Sequence, residues 1–195
     1  MKCANLESSD TDEDALIREA CSDSAAFAQL YRLHYDRVFR YCARRLFNRH
    51  SAEDVTSIVF FKLLRTISSF QGDSRDFRNW LYRIATNAVN DHLRTARRRA
   101  DAIRNISLAP ESDHAGDAES NCEVHEEHLL VKQALLTLKP KQQTVITLRF
   151  FEKLKLTEIA DIMGQNPATT RSQLSRALSH LRKKLESSAG QNREV

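Results

Sequence analysis

Residues 156–185 read LTEIADIMGQNPATTRSQLSRALSHLRKKL, and this stretch decides the fold of the C-terminal half of the chain. Its first apolar side chains recur at three- and four-residue steps, as on one face of a helix, and Gly164 then allows a sharp turn. Asn166 is a suitable N-cap for a second helix, and Pro167 is a suitable first residue. The stretch therefore predicts a helix-turn-helix motif at about residues 156–178.

The second helix of this motif has an apolar face and a polar face when its residues are spaced at about 100°. The apolar sector contains six residues: Thr170, Leu174, Ala177, Leu178, Leu181 and Leu185. The opposite sector contains six others: Thr169, Ser172, Ser175, Arg176, Ser179 and Lys183. This second face has no carboxylate, so it can enter a major groove, where Arg176 can reach guanine. An ordinary amphipathic hairpin would show the same periodicity, so the pattern alone leaves both interpretations open.

Helical periodicity also organises the N-terminal half of the chain. Apolar residues recur at helical steps over residues 24–47, and a second helix begins at Ser51 and extends to about Ser68. The polar segment from Ser69 to Arg75 is predicted to be a loop, and a third long helix follows over residues 77–98. After residue 128, four shorter helices are expected, the second beginning at Pro140.

We therefore expect an all-α protein with two small helical domains joined by a flexible acidic linker. The linker prediction rests on residues 107–120, which are small or polar and include almost no large apolar side chain. The expected boundaries are an acidic N-terminal tail at 1–23, a first domain at 24–100, a linker at 101–127, a helix-turn-helix domain at 128–187 and a tail at 188–195.

The charge of the chain is concentrated in blocks, although its net value is only +4. Residues 25–100 carry 15 basic and 6 acidic side chains, and residues 131–195 carry 12 and 5. Between them, residues 101–130 carry 1 basic and 8 acidic side chains. Two separate positive blocks are typical of two contacts with a polyanion such as nucleic acid, and also of two solvated helical surfaces.

Three stretches together resemble the extracytoplasmic-function (ECF) sigma factors, which direct bacterial RNA polymerase to promoters. RFFEKLKLTEIADIMGQNPATTRSQLSRALSHLRKKL resembles their C-terminal DNA-reading region, region 4. FAQLYRLHYDRVFRYCARRLFNRHSAEDVTSIVFFKLL, followed by FRNWLYRIATNAVNDHLR, resembles their promoter-melting region, region 2. The matches occur in the family's order and cover about residues 24–187. The resemblance implies an alternative sigma factor, a cytoplasmic, non-enzymatic protein without a cofactor.

The resemblance also implies roles for individual residues. A helix with Glu53, Asp54, Val55 and Ile58 would bind the polymerase clamp, and region 4 would bind the flap. A loop with Ser69, Phe70, Gln71, Gly72 and Asp73 would hold a base flipped out of the minus-ten element. The next helix would face melting DNA with Trp80, Tyr82, Arg83, Asn87 and Asn90, and would meet phosphates with Arg94, Arg97 and Arg98. The last helix would read the minus-thirty-five element with Thr169, Arg171, Ser172, Ser175, Arg176 and Lys183.

Aromatic and basic residues of the first domain fit DNA opening, which needs stacking on bases and cations along the backbone. Phe77 is expected in the core, whereas core and DNA-facing positions both stay open for Trp80 and Tyr82. The chain departs from the family at several positions. Ser57 stands where the family usually has Gln, and Lys153 stands where it usually has Gly. Lys155 replaces a usual Ser or Thr, Ala168 replaces a common Gly, and Gln173 replaces a common Arg.

Other classes of function find little support in the sequence. There is no glycine-rich phosphate loop and no HExxH or GxSxG motif. Cys122, His125 and His128 are spaced three apart and would fan across about 120° of a helix, which disfavours a shared zinc. The four cysteines are expected to be free thiols. The acidic start and the absence of a long apolar run predict a cytoplasmic protein without membrane insertion.

Two further expectations concern partners. A stand-alone helix-turn-helix regulator is the alternative function, but it would leave the first hundred residues unexplained. The chain ends about ten residues after Leu185, which leaves little room for a sensor domain. We therefore expect a separate anti-sigma factor to hold the protein inactive, with the flexible linker allowing it to pack between the domains.

Overall fold

The computed structural model describes residues 4–106 and 130–191, with side chains described over 12–103 and 130–186. Every regular element in these two ranges is helical, which confirms the all-α prediction. The chain divides into two compact units, Met1–Leu93 and Arg94–Val195. The linker predicted at 101–127 is wrong for residues 101–106, which continue the preceding helix, and its other residues lie outside the described ranges, as do Cys122, His125 and His128.

The first unit is built from four helices. They are α1 at Ala4–Ala20, α2 at Ser24–Leu46, α3 at Arg49–Thr66 and the first part of α4, which begins at Ser74 and extends past the unit boundary at Leu93 to Ile106; a 3₁₀ turn occupies Ile67–Ser69. Asp23 caps α2, with its carboxylate accepting from the N–H groups of Ala25 and Ala26 at 3.0 and 3.2 Å. Asn48 caps α3 by accepting from the N–H of Ser51 at 2.8 Å, so this helix begins earlier than the predicted start at Ser51.

The core of the first unit consists of the apolar stripes that the sequence predicts. On α2, Leu30, Val38 and Cys42 are buried, and on α4 Phe77 and Leu81 are buried. Phe77 is fully enclosed, which confirms its expected place in the core. Tyr82 is also buried and meets the ring of Tyr41 edge-on at 5.5 Å, so the structure removes it from the residues that face DNA.

Helix α1 differs from the acidic tail that the sequence predicts for residues 1–23. It packs against α2, with Ile17 and Ala20 only 1% and 4% exposed. Glu13 also lies 3.1 Å from Nε2 of the buried His34. The prediction of a tail is therefore wrong for the end of this helix, where Ile17 and Ala20 are part of the core.

A buried polar network joins α2 to α4. Arg45 is 2% exposed and donates from Nη2 to Oδ1 of Asn90 at 3.2 Å. The Tyr41 hydroxyl lies 2.8 Å from the Thr86 hydroxyl, and burial raises the pKa of Tyr41. Burial likewise raises the pKa of the neighbouring Cys42 thiol to about 11, so this cysteine stays protonated at neutral pH. Cys21 and Cys42 are both free thiols, as expected.

The second unit contains four further helices, as predicted, but the last of them is long, with 25 residues. Residues 130–136 form α5, Pro140–Ile146 form α6, Leu156–Met163 form α7 and Pro167–Gln191 form α8, with a π-helical turn at Thr147–Phe151. Pro140 and Pro167 are the first residues of their helices, as the sequence indicates. Buried apolar residues from all four helices form the core, including Leu135, Val145, Ile159 and Ala177.

Lys153 has a left-handed backbone conformation, with φ of 57°, at the position where the family usually has Gly. This conformation is disfavoured by about 1–2 kcal/mol for a residue with a Cβ, whereas Gly adopts it freely. We expect Lys153→Gly to raise the free energy of unfolding by about 0.5–1 kcal/mol, measured by urea titration. Lys62→Gly, in the middle of α3, is the control and should lower stability by about 1 kcal/mol. An unchanged or lower stability of Lys153→Gly would contradict the assigned strain.

Neither a membrane-spanning helix nor a metal-binding cluster occurs in residues 4–106 and 130–191. None of the helices in that part of the chain combines the length and apolar character needed to cross a bilayer. Within the same residues, no group of His, Cys, Asp and Glu is close enough together to hold a metal ion.

Candidate nucleic-acid interface

The turn between α7 and α8 has the geometry of a helix-turn-helix motif. Gly164 ends α7 in the left-handed conformation, with φ of 60° and ψ of 42°, and Gln165 N–H donates to the Ala160 carbonyl at 2.9 Å. Asn166 Oδ1 then accepts from Ala168 N–H at 2.8 Å, which caps α8 as the sequence predicts. The fully buried Thr170 fixes which side of α8 faces inward.

The outward side of α8 is the polar face that the wheel predicts. Five of the six proposed residues are exposed: Thr169, Arg171, Ser175, Arg176 and Lys183. Ser172 is half-buried, and Gln173 ties the helix to the turn by donating to Gln165 Oε1 at 2.9 Å. Leu178 and Leu185 are 42% and 39% exposed, so the apolar stripe is shallower than predicted. Hydroxyl and guanidinium groups on one convex helix face are suited to reading base edges in a major groove.

The loop before α4 is held by aromatic packing. The ring of Phe70 stacks on Trp80 at 5.1 Å and meets Phe77 edge-on at 5.5 Å. Gly72 has φ of 152°, and a Cβ there would lie 2.7 Å from Asp76 Cβ. The loop therefore has a defined shape that requires glycine, and it leaves Ser69, Gln71 and Asp73 exposed.

Asp73 has a structural partner within this loop. Its Oδ1 accepts from Asp76 N–H at 2.8 Å, and its carbonyl accepts from Phe77 N–H at 2.8 Å. Asp73 is therefore the N-cap of α4. This contact accounts for the residue type whether or not DNA is bound.

Polar side chains on α4 recur at steps of three and four and share one face of that helix: Arg83, Asn87, Asn90, Arg94, Arg97 and Arg98. All six are exposed. Asn90, however, accepts from the buried Arg45, so its amide oxygen is already occupied. Arg97 Nε lies 3.9 Å from Asp101, an exposed and therefore weak ion pair. Trp80 is half-buried, with its ring against Phe70.

The outward face of α3 carries the residues expected to bind polymerase. Asp54 and Ile58 are exposed and Glu53 is half-buried, but Val55 is fully buried. Val55 is therefore a core residue, and its assignment to a direct polymerase contact is wrong. Two further apolar residues on the exposed face, Phe61 at 59% and Leu64 at 51%, were not singled out from the sequence. The sequence pattern does indicate them, because both are large apolar residues that fall outside the stripe of α3 that enters the core.

Comparison with known families matches both units. The Sigma-70 region 2 family matches residues 30–99, and the Sigma-70 region 4 family matches residues 128–181. The chain is 32% identical to the ECF RNA polymerase sigma factor SigW of Bacillus subtilis, over 84% of this chain and 90% of SigW. It is 32% identical to the RNA polymerase sigma-H factor of Pseudomonas aeruginosa, over 90% and 94%. It is 33% identical to the ECF sigma factor BldN of Streptomyces coelicolor, where it spans only 65% of the relative.

Solved structures show the same fold. CnrH, solved in complex with the cytosolic domain of CnrY, matches 89% of this chain with a TM-score of 0.65 and 21% identity. RpoE of Bartonella quintana, solved with the anti-sigma factor NepR, matches 82% with the same TM-score and identity. At this identity the likeness concerns the fold, while the sequence matches to SigW and sigma-H establish kinship. The chain belongs to the extracytoplasmic-function family of RNA polymerase sigma factors.

Proposed function

We propose that this chain binds core RNA polymerase and directs it to a specific class of promoters. The observation that carries the proposal is that one chain exposes both a helix-turn-helix reading face and a glycine-dependent loop beside an arginine-lined helix. A stand-alone regulator needs the first of these features only. The proposed role is one of binding, exercised in the cytoplasm where RNA polymerase works, and it requires no cofactor.

Helix α8 is proposed to read the minus-thirty-five element. Arg176 lies in the third turn of α8 and is exposed, about 100–120° around the helix from the buried Ala177 and Thr170. A guanidinium donates two parallel hydrogen bonds to guanine O6 and N7, which gives base discrimination. Arg171, near the border of this face, and Lys183, two turns beyond Arg176, are placed to meet phosphates instead.

The loop Ser69–Asp73 and helix α4 are proposed to bind the opened minus-ten element. Packing of Phe70 on Trp80 and Phe77 fixes the loop before DNA arrives, so little ordering is needed on binding. The exposed Gln71 amide can donate to and accept from a base edge. Arg83 and the arginines at 94, 97 and 98 supply cations on one helix face for the displaced backbone.

The exposed face of α3 is proposed to dock on the polymerase clamp. Ile58, Phe61 and Leu64 form an apolar row on this face, next to the carboxylate of Asp54. An exposed apolar row of this kind is typical of a protein interface. In the second unit, Phe150 and Phe151 are 53% and 41% exposed and offer an apolar contact for the polymerase flap.

An anti-sigma factor is proposed as a further partner. CnrH and RpoE, which share this fold, were each solved in complex with another protein, and NepR is named as an anti-sigma factor. We expect the native protein to copurify with such a partner before induction. Recovery of the protein without a partner from uninduced cells would count against this proposal.

Electrophoretic mobility shift distinguishes a sigma factor from a stand-alone regulator. We expect the purified chain to bind promoter duplex weakly and without sequence preference, because each basic surface is small and contacts few phosphates. Addition of core polymerase should produce a specific, salt-resistant complex. Specific and salt-resistant binding of duplex by the chain alone would favour the regulator.

A further inference from the structure

Helix α1 and Cys21, the residue directly after it, contact the chain on both sides of the loop that is proposed to hold the minus-ten base. At the start of the loop, Cys21 Sγ lies 3.2 Å from the carbonyl of Ile67, to which it donates. At the end of the loop, Asp14 Oδ1 accepts from the N–H of Ser74 at 2.6 Å. The partners in these two contacts are 46 and 60 positions apart in the sequence. Helix α1 therefore braces the loop from a distant part of the chain.

The contact from Asp14 satisfies a donor that α4 cannot satisfy itself. The first four N–H groups of a helix have no partner inside it, and Ser74 is the first residue of α4. Asp73 already accepts from Asp76 N–H, so the Asp73 carboxylate is engaged one turn further on. Asp14 is thus a second cap for the same helix, supplied by another element, and it fixes the point where the loop meets α4.

Packing of the neighbouring residues of α1 fixes the position of Asp14. Ile17, one helical turn further along α1, is 1% exposed, and Ala20 is 4% exposed. Glu13 lies against the buried His34, whose ring in turn packs 5.3 Å from that of Phe77. The carboxylate of Asp14 is therefore held in place by a packed helix. Its contact with Ser74 restrains the point where the loop meets α4.

We propose that Asp14 is a positioning residue for minus-ten recognition, an inference that rests on the proposed function of the Ser69–Asp73 loop. Asp14 does not touch DNA in this proposal. It holds Ser74 so that Gly72 and Gln71 keep the shape that accepts a flipped base. Loss of the contact lets the loop sample other shapes, and base affinity falls with the population of the competent one.

The test uses holoenzyme assembled from core polymerase and full-length chain. Its probe is a fluorescent single-stranded oligonucleotide carrying the non-template minus-ten sequence of a promoter that the wild-type holoenzyme transcribes. Affinity is compared with that for the same oligonucleotide altered at one minus-ten base, and the ratio measures discrimination. Polymerase affinity and the thermal unfolding midpoint are measured for every variant.

Two substitutions remove the contact from opposite sides. Asp14→Ala deletes the acceptor, and Ser74→Pro deletes the donor at a helix position where proline is well tolerated. We expect each to lower discrimination about tenfold, and the double variant to be no worse than either single one. Asp14→Asn keeps an acceptor oxygen and should retain most of the discrimination. Asp12→Ala, on the exposed side of the same helix, should behave like wild type.

The outcomes separate this inference from the proposed function. A wild-type holoenzyme that shows no minus-ten preference would overturn the proposed function of the loop. Wild-type discrimination that persists in Asp14→Ala and Ser74→Pro would overturn the inference alone. A lowered unfolding midpoint with unchanged discrimination would likewise assign Asp14 a purely structural role. If Asp14→Ala fails to fold, Ser74→Pro and Asp14→Asn decide the matter in the same assay.

Discussion

Arg176→Ala is expected to weaken initiation at cognate promoters by roughly tenfold to hundredfold, because one bidentate arginine–guanine contact contributes about 1–3 kcal/mol of discrimination. Arg176 is exposed on the polar face of α8, about 100–120° around the helix from the buried Ala177 and Thr170. The fold should stay intact, since the site faces solvent and alanine favours helix. The measurement is the rate of initiation on matched and altered minus-thirty-five elements, with polymerase affinity measured separately.

Lys183→Ala is the matched control for this prediction. Lys183 lies two turns further along the same exposed face, and we expect its side chain to reach phosphate at most. Its loss should weaken binding evenly across sequences and lower the salt slope by about one unit. If Arg176→Ala keeps full discrimination while Lys183→Ala loses it, the facing assigned to the recognition helix is wrong.

Gly72→Ala is expected to lower promoter opening by roughly tenfold to hundredfold, because backbone strain in such conformations is of order 1–3 kcal/mol. The added Cβ would lie 2.7 Å from Asp76 Cβ and 3.1 Å from Phe70 Cζ, and φ is 152°. The loop must therefore move away from its stacked arrangement on Trp80. Open-complex formation, followed by the reactivity of unpaired thymines to permanganate, measures the effect.

Gly164→Ala provides the control, because glycine there also has a positive φ but has open space around it. Its φ is 60° and no atom lies within 4 Å of an added Cβ, so the cost is conformational and about 1 kcal/mol. This variant should unfold more easily without changing minus-ten preference. Normal promoter opening by Gly72→Ala would show that the shape of the loop does not matter for melting.

Sequence periodicity predicts the helices and most of the core, because apolar residues at helical steps mark a buried face wherever they are frequent. Periodicity also indicates the burial of Arg45, which follows Val38 and Cys42 at steps of four and three residues on the buried face of α2. Arg45 is 2% exposed. Helix α1 was missed because acidic residues dominate it and only Ile17 and Ala20 are buried among its described side chains. Composition alone does not indicate that these few apolar contacts are enough to pack α1 against the rest of the unit when Asp14 and Glu13 add polar contacts.

The candidate site was predictable as a set of residue types but not as a set of orientations. Val55 and Tyr82 lie in the motifs that resemble the family, yet both side chains point into the core. The resemblance assigns roles by position in a motif, whereas packing of α3 and α4 against their neighbours decides which of these side chains are buried. The contact between Asp14 and Ser74 joins residues 60 positions apart and leaves no local pattern.

Run-off transcription with core RNA polymerase on a genomic promoter library tests the central claim most directly. With the chain added, the account predicts discrete transcripts whose start sites share a minus-ten and a minus-thirty-five element. These transcripts should be absent with core polymerase alone. If the chain yields no new transcripts with active core polymerase while binding a specific duplex by itself, it is a regulator and not an initiation factor.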